Sequence, residues 1–365
     1  MPAFRSRPPY AMSEMIAAEP ALAERLLRRL AKQDAMATLA AQVREAFDAA
    51  RPIRITGCGT SEHAATGIAA LLNEALDPPG GREVAAVQAL ETLARPQRDG
   101  LLIAVSHEGG THATNEALLA AAAAGAATAL ITVGSSSPGA ALADIVVATG
   151  EQDQSWCHTV GYVSPLVAGV VLAAKMRRGR TDGAALRALL DVADDAHAPA
   201  AIAPSLAGVD RLLVVGSGPD YVTARELALK VAEGARLATA AHELETLLHG
   251  HLAATTRWTG LIVVLAAPAS PAVTERAQKV LAAARALGMP TAAILSEQTD
   301  REIDAEATPA GRIVLPRTGR VPALAGSLLT SAIALQLLTE RLARARGVDP
   351  DTLGREDPAQ AAAHS

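Results

Sequence analysis

The chain has 365 residues, half of them apolar and only 2% aromatic, and 33 basic against 38 acidic side chains leave a net charge of −5. That length allows two ordinary domains, and the charge balance gives no electrostatic footing for nucleic acid or an anionic membrane surface. Cys58 and Cys157 make no disulfide framework, and no apolar run follows the Pro- and Arg-rich residues 1–7, so no signal peptide is read and a cytoplasmic location is expected.

An amphipathic arm over residues 12–39 opens the chain, within an N-terminal helical segment 1–50. Four short apolar runs follow: "IRITGCG" (53–59), "LLIAVS" (101–106), "TALITVG" (128–134) and "DIVVATG" (144–150). Runs of this kind are the signature of parallel strands buried on both faces. Residues 61–76 read as a helix between the first two. Residues 117–134 are long and uncharged enough to suggest a membrane span, but Gly125 divides them, and helix, turn and strand is the preferred reading. A partly helical linker at 181–205 carries spaced prolines, Pro199 and Pro204. Four further strands are expected at "RLLVVGSG" (211–218), "LIVVLAA" (261–267), "TAAILS" (291–296) and "RIVLP" (312–316), with a helix over 221–235. A last helix over 323–345 precedes a polar tail. Leu101 and Leu261, like Gly57 and Gly216, repeat at an offset of about 160, which indicates duplicated domains, 51–180 and 206–346, and a tail 347–365. Alternating strands and helices imply parallel sheets flanked by helices, an α/β fold of three-layer αβα type.

Ligands of open parallel sheets bind at the carboxyl ends of strands. That prior selects "GCGTSEH", "SHEGGT", "GEQDQSWCHTVGY" and "GSGPDY". In "AVSHEGGTHATNEALLAAAAAG" (104–125) a strand runs through a Gly-rich turn into a helix, a backbone arrangement suited to an anion. Glu108 sits within that turn, where its charge opposes a phosphate. Either it turns outward, leaving Thr60, Ser61, Ser106, Thr111 and backbone amides to the phosphate with His107 adding charge, or the pocket is repurposed and Glu108 meets sugar hydroxyls or an ammonium. The second alternative is preferred.

"GCGTSEHA" (57–64) resembles the first phosphosugar turn of sugar isomerase (SIS) domain proteins, and "SHEGGT" (106–111) stands in the place of their Ser-rich second turn. "MSEMIAAEP" (12–20) is similar to their N-terminal segment. "ELALKVAEGARLATAAHELETLLHG" (226–250) resembles the long helix and loop of the isomerase domain of glucosamine-6-phosphate synthases. The resemblance covers essentially the whole chain. It implies two tandem SIS domains, each a parallel sheet flanked by helices, and a homodimer with sites near its interface. It implies Glu233 as the base and His249, from the neighbouring subunit, as the ring-opening residue. It also implies a small phosphosugar bound through Cys58, Gly59, Thr60, Ser61, Ser106, His107, Glu108, Gly109 and Thr111, with no cofactor and no metal. The chemistry agrees with those roles. Shifting a proton between C1 and C2 needs one base held over both carbons, and ring opening needs a group that shuttles a proton near pH 7. A nearby His251 suggests a metal pair with His249, but no carboxylate follows at ligand spacing.

The chain departs from that family in four places. No glutaminase half with an exposed Cys nucleophile is read, so ammonia is not expected to come from glutamine. Arg355 falls where the family carries a Lys near its C-terminus; an arginine stays protonated and forms no imine, and the catalytic role expected of it is electrostatic help to an oxyanion. Glu108 is the third departure. "SWCHTVGY" (155–162) is the fourth, placing Trp156 and His158 as a ligand wall beside Cys157, which is expected to be an apolar filler. The expected activity is that of an enzyme at C1/C2 of an amino- or glycated sugar: isomerase, aminosugar-phosphate deaminase or fructosamine deglycase. A non-catalytic sugar-binding protein is the alternative. The arm at 1–50 is too short for the DNA-reading domain that a regulator of this kind carries, and neither Gly-rich turn completes a dinucleotide motif.

Overall fold

The computed structural model describes residue 5, residues 7–77 and residues 82–363; part of the segment read above for a signal peptide lies outside them. In chain order the elements begin with α1 (Ala11–Leu30), α2 (Asp34–Asp48), β1 (Ile53–Gly57), α3 (Thr60–Leu76), β2 (Ala85–Gln88), α4 (Ala89–Ala94) and β3 (Leu101–Val105). Next come α5 (His112–Ala124), β4 (Ala127–Thr132), β5 (Ile145–Ala148), α6 (Val160–Met176), α7 (Gly183–Ala193), α8 (His197–Leu206), β6 (Arg211–Gly216) and α9 (Pro219–Ala235). The chain ends with β7 (Thr239–Glu243), α10 (Leu244–Leu248), β8 (Thr259–Leu265), α11 (Pro271–Ala286), β9 (Thr291–Ser296), α12 (Glu297–Glu302), β10 (Gly311–Leu315), α13 (Ala323–Arg346) and α14 (Pro358–Ala363).

Two compact units share these elements. The first unit is Ala21–Gln152 with Val160–Arg187; the second is Met1–Pro20, Asp153–Thr159 and Ala188–Ser365. Each contains one five-stranded, all-parallel sheet, ordered β2-β1-β3-β4-β5 in the first and β7-β6-β8-β9-β10 in the second. Strand for strand this is one topology used twice. In both sheets the order reverses between the first and third strands of the unit, where a crevice opens at the carboxyl ends.

The central strands β3 and β8 are buried at every position, as their continuous apolar runs require. In the first unit α6 packs on α3 so closely that a Cβ on Gly169 would lie 2.8 Å from Ile68. In the second, α13 packs on α8 and α9. Among the described residues α13 is the one helix long and apolar enough to cross a membrane, and 94% of its apolar window is buried within the protein. Gly125 ends α5 in the left-handed conformation at φ 99°, so residues 117–134 are helix, cap and strand as expected.

The structure differs from expectation in three places. Among the described residues it has ten strands rather than eight, because the edge strands β2 ("AAVQ") and β7 ("TAAHE") lack the apolar run that marks the others. The prolines of the presumed linker, Pro199 and Pro204, lie inside helix α8. The arm is two helices, broken at residues 31–33.

Candidate active site

The duplicated topology builds the same turn twice. A Cβ on Gly57 would lie 2.7 Å from the Ser61 carbonyl carbon, and one on Gly216 would lie 2.5 Å from the Asp220 oxygen. Gly59 (φ 55°, ψ −127°) and Gly218 (φ 57°, ψ −129°) precede α3 and α9 in one conformation, in the left-handed half of the map. Each strand therefore turns tightly into its helix and directs the helix N-terminus at the end of the sheet.

In the first unit this turn carries Cys58, Gly59, Thr60 and Ser61, all at least partly exposed. Cys58 Sγ stands 3.7 Å from the Thr114 hydroxyl. The loop after β3 is held from below. The His107 carbonyl accepts from Val133 N (2.8 Å) and the Thr132 hydroxyl (3.0 Å), while the Gly109 carbonyl accepts from Gly139 N (2.8 Å) and the Asn115 amide (3.2 Å). Gly109 has φ 65°, and a Cβ there would meet Ser137 Oγ at 2.1 Å, so glycine is required. The Ser106 hydroxyl donates to Thr111 Oγ1 at 3.3 Å. The loop thus keeps its shape through backbone bonds and leaves two hydroxyls side by side. Glu108 is exposed, and its Oε1 accepts from the Gln152 amide at 3.1 Å.

The equivalent turn of the second unit is already filled. Asp220, 4% exposed, accepts from Ala266 N (3.0 Å) and Ala267 N (2.9 Å), the two amides that follow β8. Burial pushes its carboxyl up to about 7 against the pull of those two amides. A carboxylate of the chain thus takes the strand-end amides that an exogenous anion would otherwise use.

The second unit instead places charge in its helix. Glu226, Lys230 and Glu233 lie on one face of α9 at i, i+4 and i+7. The Lys230 side chain is fully buried; its Nζ lies 2.5 Å from Glu233 Oε2 and 3.9 Å from Glu226 Oε1. Burial alone would depress the ammonium, but the two carboxylates outweigh it and hold its pKa above the ordinary lysine value. Glu233 is about a quarter exposed, and its Oε1 has no hydrogen-bond partner among the described residues. Cys157 packs against this helix, its Sγ 3.7 Å from the Lys230 carbonyl, and burial pushes its thiol up, so it is the expected filler and no nucleophile. The loop carrying it is tied by Asp153, which accepts from Ser155 N (3.1 Å) and Thr159 N (2.7 Å). His158, partly exposed, has Nδ1 3.9 Å from Asp153 Oδ2.

The tail closes over the same place. Pro350 lies 3.3 Å from where a Gly234 Cβ would be, Arg236 pairs with Glu356, and Trp156 N donates to the Asp351 carbonyl at 3.1 Å. Arg355 stacks on Trp156, with Cζ 4.3 Å from the ring centroid. Of the residues singled out in sequence, the structure brings Trp156 and Arg355 together and packs Cys157 against the helix that carries Glu233. Lys230 and Glu226, which line up with Glu233 on α9, were missed; the i, i+4, i+7 spacing of Glu226, Lys230 and Glu233 was the available signal.

His249 is elsewhere. Glu233 lies in the last turns of α9, at the edge where strands begin, and His249 follows β7 and α10 at the edge where strands end. A strand of five residues separates those edges by about 17 Å. His249 is 73% exposed, and its Nε2 lies 2.9 Å from Glu245 Oε1. His251 stacks on His242 with ring centroids 4.0 Å apart.

These features can be set beside known proteins. Residues 47–175 match the SIS domain family. A glutamine–fructose-6-phosphate aminotransferase (isomerizing) of Symbiobacterium thermophilum is 31% identical over 360 residues, covering 91% of this chain and 55% of that protein, so the chain spans about half the length of this relative. In fold, the chain is similar to the C-terminal domain of a glucosamine-fructose-6-phosphate aminotransferase from Francisella tularensis (TM-score 0.78, 19% identity, 95% of this chain and 99% of that one). It is also similar to tagatose-6-phosphate ketose/aldose isomerase from Escherichia coli (0.71, 19%, 97% and 97%) and to glucosamine-6-phosphate deaminase from Thermotoga maritima (0.70, 17%, 94% and 97%). Residues 47–175, which hold the first of the two like-ordered parallel sheets, thus match an SIS domain.

Proposed function

We propose that the chain is an enzyme that moves a proton at C1/C2 of an amino- or glycated sugar phosphate, with Glu233 as the base. The observation carrying this is the Glu226–Lys230–Glu233 row. A fully buried ammonium fixes one oxygen of Glu233 and leaves the other without a partner on a partly exposed side chain. A base held this way has one orientation and one free oxygen. The adjacent positive charge stabilises the enediolate or enolamine formed when the proton leaves carbon. Anion holding is assigned to the first unit, through Thr60, Ser61, Ser106, Thr111 and the amides of the two turns, as in the expectation that the substrate is phosphorylated. Isomerisation, deamination of an aminosugar phosphate and deglycation of a fructosamine phosphate all begin with this proton transfer.

His249 is assigned ring opening from a second copy of the chain, since within one protomer the sheet keeps it away from Glu233. The test is complementation. Glu233→Gln is expected to lower kcat by about a thousandfold, within the range of general-base effects, with KM changed little. His249→Asn is expected to slow turnover of the ring-closed sugar most. Mixing the two inactive variants should restore part of the activity if the histidine serves the other copy. Full turnover by both single variants would overturn the assignment.

A further inference from the structure

His242 stands half-buried on the edge strand β7, and His251 follows α10 in an exposed turn; their rings stack with centroids 4.0 Å apart and 26° between planes. Side chains hold this turn to the sheet, His251 on His242 and Leu252 against the core. The hydrogen bonds of residues 250–255 among the described residues stay within the turn, from Ala253 N to the Gly250 carbonyl and from Thr255 N and its hydroxyl to the Leu252 carbonyl. Gly250, between His249 and His251, has φ 129°, a backbone that favours glycine, with open space where a Cβ would stand. His249 thus lies beside a hinge, with Glu245 on one side and the stack on the other.

Two imidazoles of which at least one is neutral stack favourably, whereas two imidazolium rings at this distance repel. The other charged groups on this face leave that balance to the two rings. Asp210 and Arg211, at the head of β6 and lining the same cleft, are exposed and opposite in sign. Glu245 of α10 is shared by His249 and by Arg276 of α11. α9 packs on the opposite face of β7, where the Thr239 hydroxyl donates to the Ala228 carbonyl (2.7 Å), so its charged row does not meet the stack; Glu243 alternates to that face as well. Burial first and His251 second hold the His242 imidazole below the ordinary histidine value.

We propose that the His242–His251 stack is a positioning pair for His249, which holds the turn after α10 on β7 while at least one ring is neutral and releases it when both are protonated. As a device for the reaction, this rests on His249 being the ring-opening residue. Above about pH 6.5, the ordinary histidine value of an unfolded chain, the turn is docked and His249 keeps its direction. Below it the folded protein takes up the second proton less readily than a free chain does, so the stabilisation given by the docked turn is lost as pH falls.

The test is hydrogen exchange of the full chain, read by mass spectrometry at the backbone amides of residues 249–256 and corrected for the intrinsic rate at each pH. Between about pH 8 and about pH 5 the wild type is expected to lose about tenfold in protection there, as a pKa displaced by one unit would give. His251→Phe keeps a flat ring on His242 and cannot be charged, so its protection should stay level, or rise as His242 becomes a cation beneath the new ring. His251→Ala should be poorly protected at both pH values. His251 is exposed, so neither substitution disturbs the core. Wild-type protection that does not change with pH, an equal acid loss in His251→Phe, or full protection of His251→Ala at about pH 8 would each overturn the proposal. Ring opening by His249 is read separately, through His249→Asn as above. If that variant keeps full turnover, the ring-opening role falls, while the exchange still reports on the stack.

Discussion

The turn at 57–61 and the turn at 216–220 share one backbone and have opposite contents. α3 and α9 are both 17 residues long and begin 159 residues apart, at Thr60 and Pro219. The first turn presents small polar groups, Cys58, Thr60 and Ser61, at its partly exposed end. The second inserts Asp220 into the two amides beyond β8. The helices diverge in the reverse sense. Where α9 has Glu226 and Lys230, α3 has at the same offset Gly67 and Leu71, both buried and apolar. One copy keeps its turn and packs its helix as ordinary core. The other closes its turn and uses the helix to carry charge. Duplication thus separates two demands that compete within a single βα unit: an anion site needs an open helix N-terminus, and a buried base needs a desolvated, counter-charged helix face.

The largest expected effect breaks the helix half of this comparison. Lys230→Ala removes the buried ammonium from between Glu226 and Glu233, and is expected to cost about 3–5 kcal/mol in urea unfolding. Leu71→Ala, the counterpart in α3, should cost about 2–5 kcal/mol through a cavity alone. The two differ in rescue. Adding Glu226→Leu to Lys230→Met should recover most of the loss, because replacing a buried ion pair by apolar groups is nearly neutral. No second polar change can rescue Leu71→Ala. If Lys230→Ala is harmless, the row on α9 is not a coupled charge set.

Next is Asp220. Its folded carboxyl titrates near 7, above the usual aspartate value near 3.9 of an unfolded chain. The folded state therefore binds this proton more tightly, so the contribution to stability is full below about pH 4 and is lost as pH rises towards 7. Asp220→Asn keeps an acceptor for Ala266 N and Ala267 N but removes the titration. Its melting temperature should exceed that of the wild type above pH 7, with the gap closing as pH falls to 4. Asp220→Ala should be worse than Asp220→Asn at every pH, by about 1–3 kcal/mol, because two buried amides lose their partner. Parallel melting curves for wild type and Asp220→Asn across this range would show that burial does not govern Asp220.

Much of this division was legible in sequence and part of it was not. The central strands announce themselves as uninterrupted apolar runs, and Gly57 and Gly216 mark both turns because a Cβ has no room there. β2 and β7 were hidden because Ala-rich edge segments become strands through their neighbours and not through their own pattern. The filling of the second turn was hidden for a related reason: Asp220 is an ordinary acidic residue in the first turn of a helix until the sheet brings the end of β8 beside it. Lys230 shares the i, i+4, i+7 spacing of Glu226 and Glu233, but that spacing suits a solvated helix face equally well, and burial is what marks it as an internal charge row. The Trp156–Arg355 stack joins residues far apart in the chain, which no local pattern can couple.

The glycines allow a matched pair. Gly57→Ala and Gly216→Ala push a Cβ into helix backbone at nearly the same distance, so each should cost about 1–3 kcal/mol, and the two costs should agree closely. Their effects on ligand should not agree. Gly57→Ala is expected to weaken binding of a sugar phosphate severalfold in a titration at fixed salt, and Gly216→Ala to leave it unchanged. Equal losses would mean that the second turn also takes part in anion binding.

The smallest effect concerns Glu108, the residue that makes the first turn look wrong for phosphate. A carboxylate within a few ångströms of a phosphate dianion would cost kilocalories if the pair were desolvated. Glu108 is exposed and engaged by Gln152, so solvent and salt screen most of that repulsion. Glu108→Gln, which keeps size and hydrogen bonding, should therefore tighten phosphosugar binding by only a fewfold at low ionic strength, and by less as salt is raised to 0.5 M. A gain that persists at high salt would place the carboxylate inside the anion site. A loss of affinity would give Glu108 a direct part in holding the sugar, as a repurposed pocket requires. The sign of this one change therefore decides whether the open turn of the first unit is still a phosphate cradle.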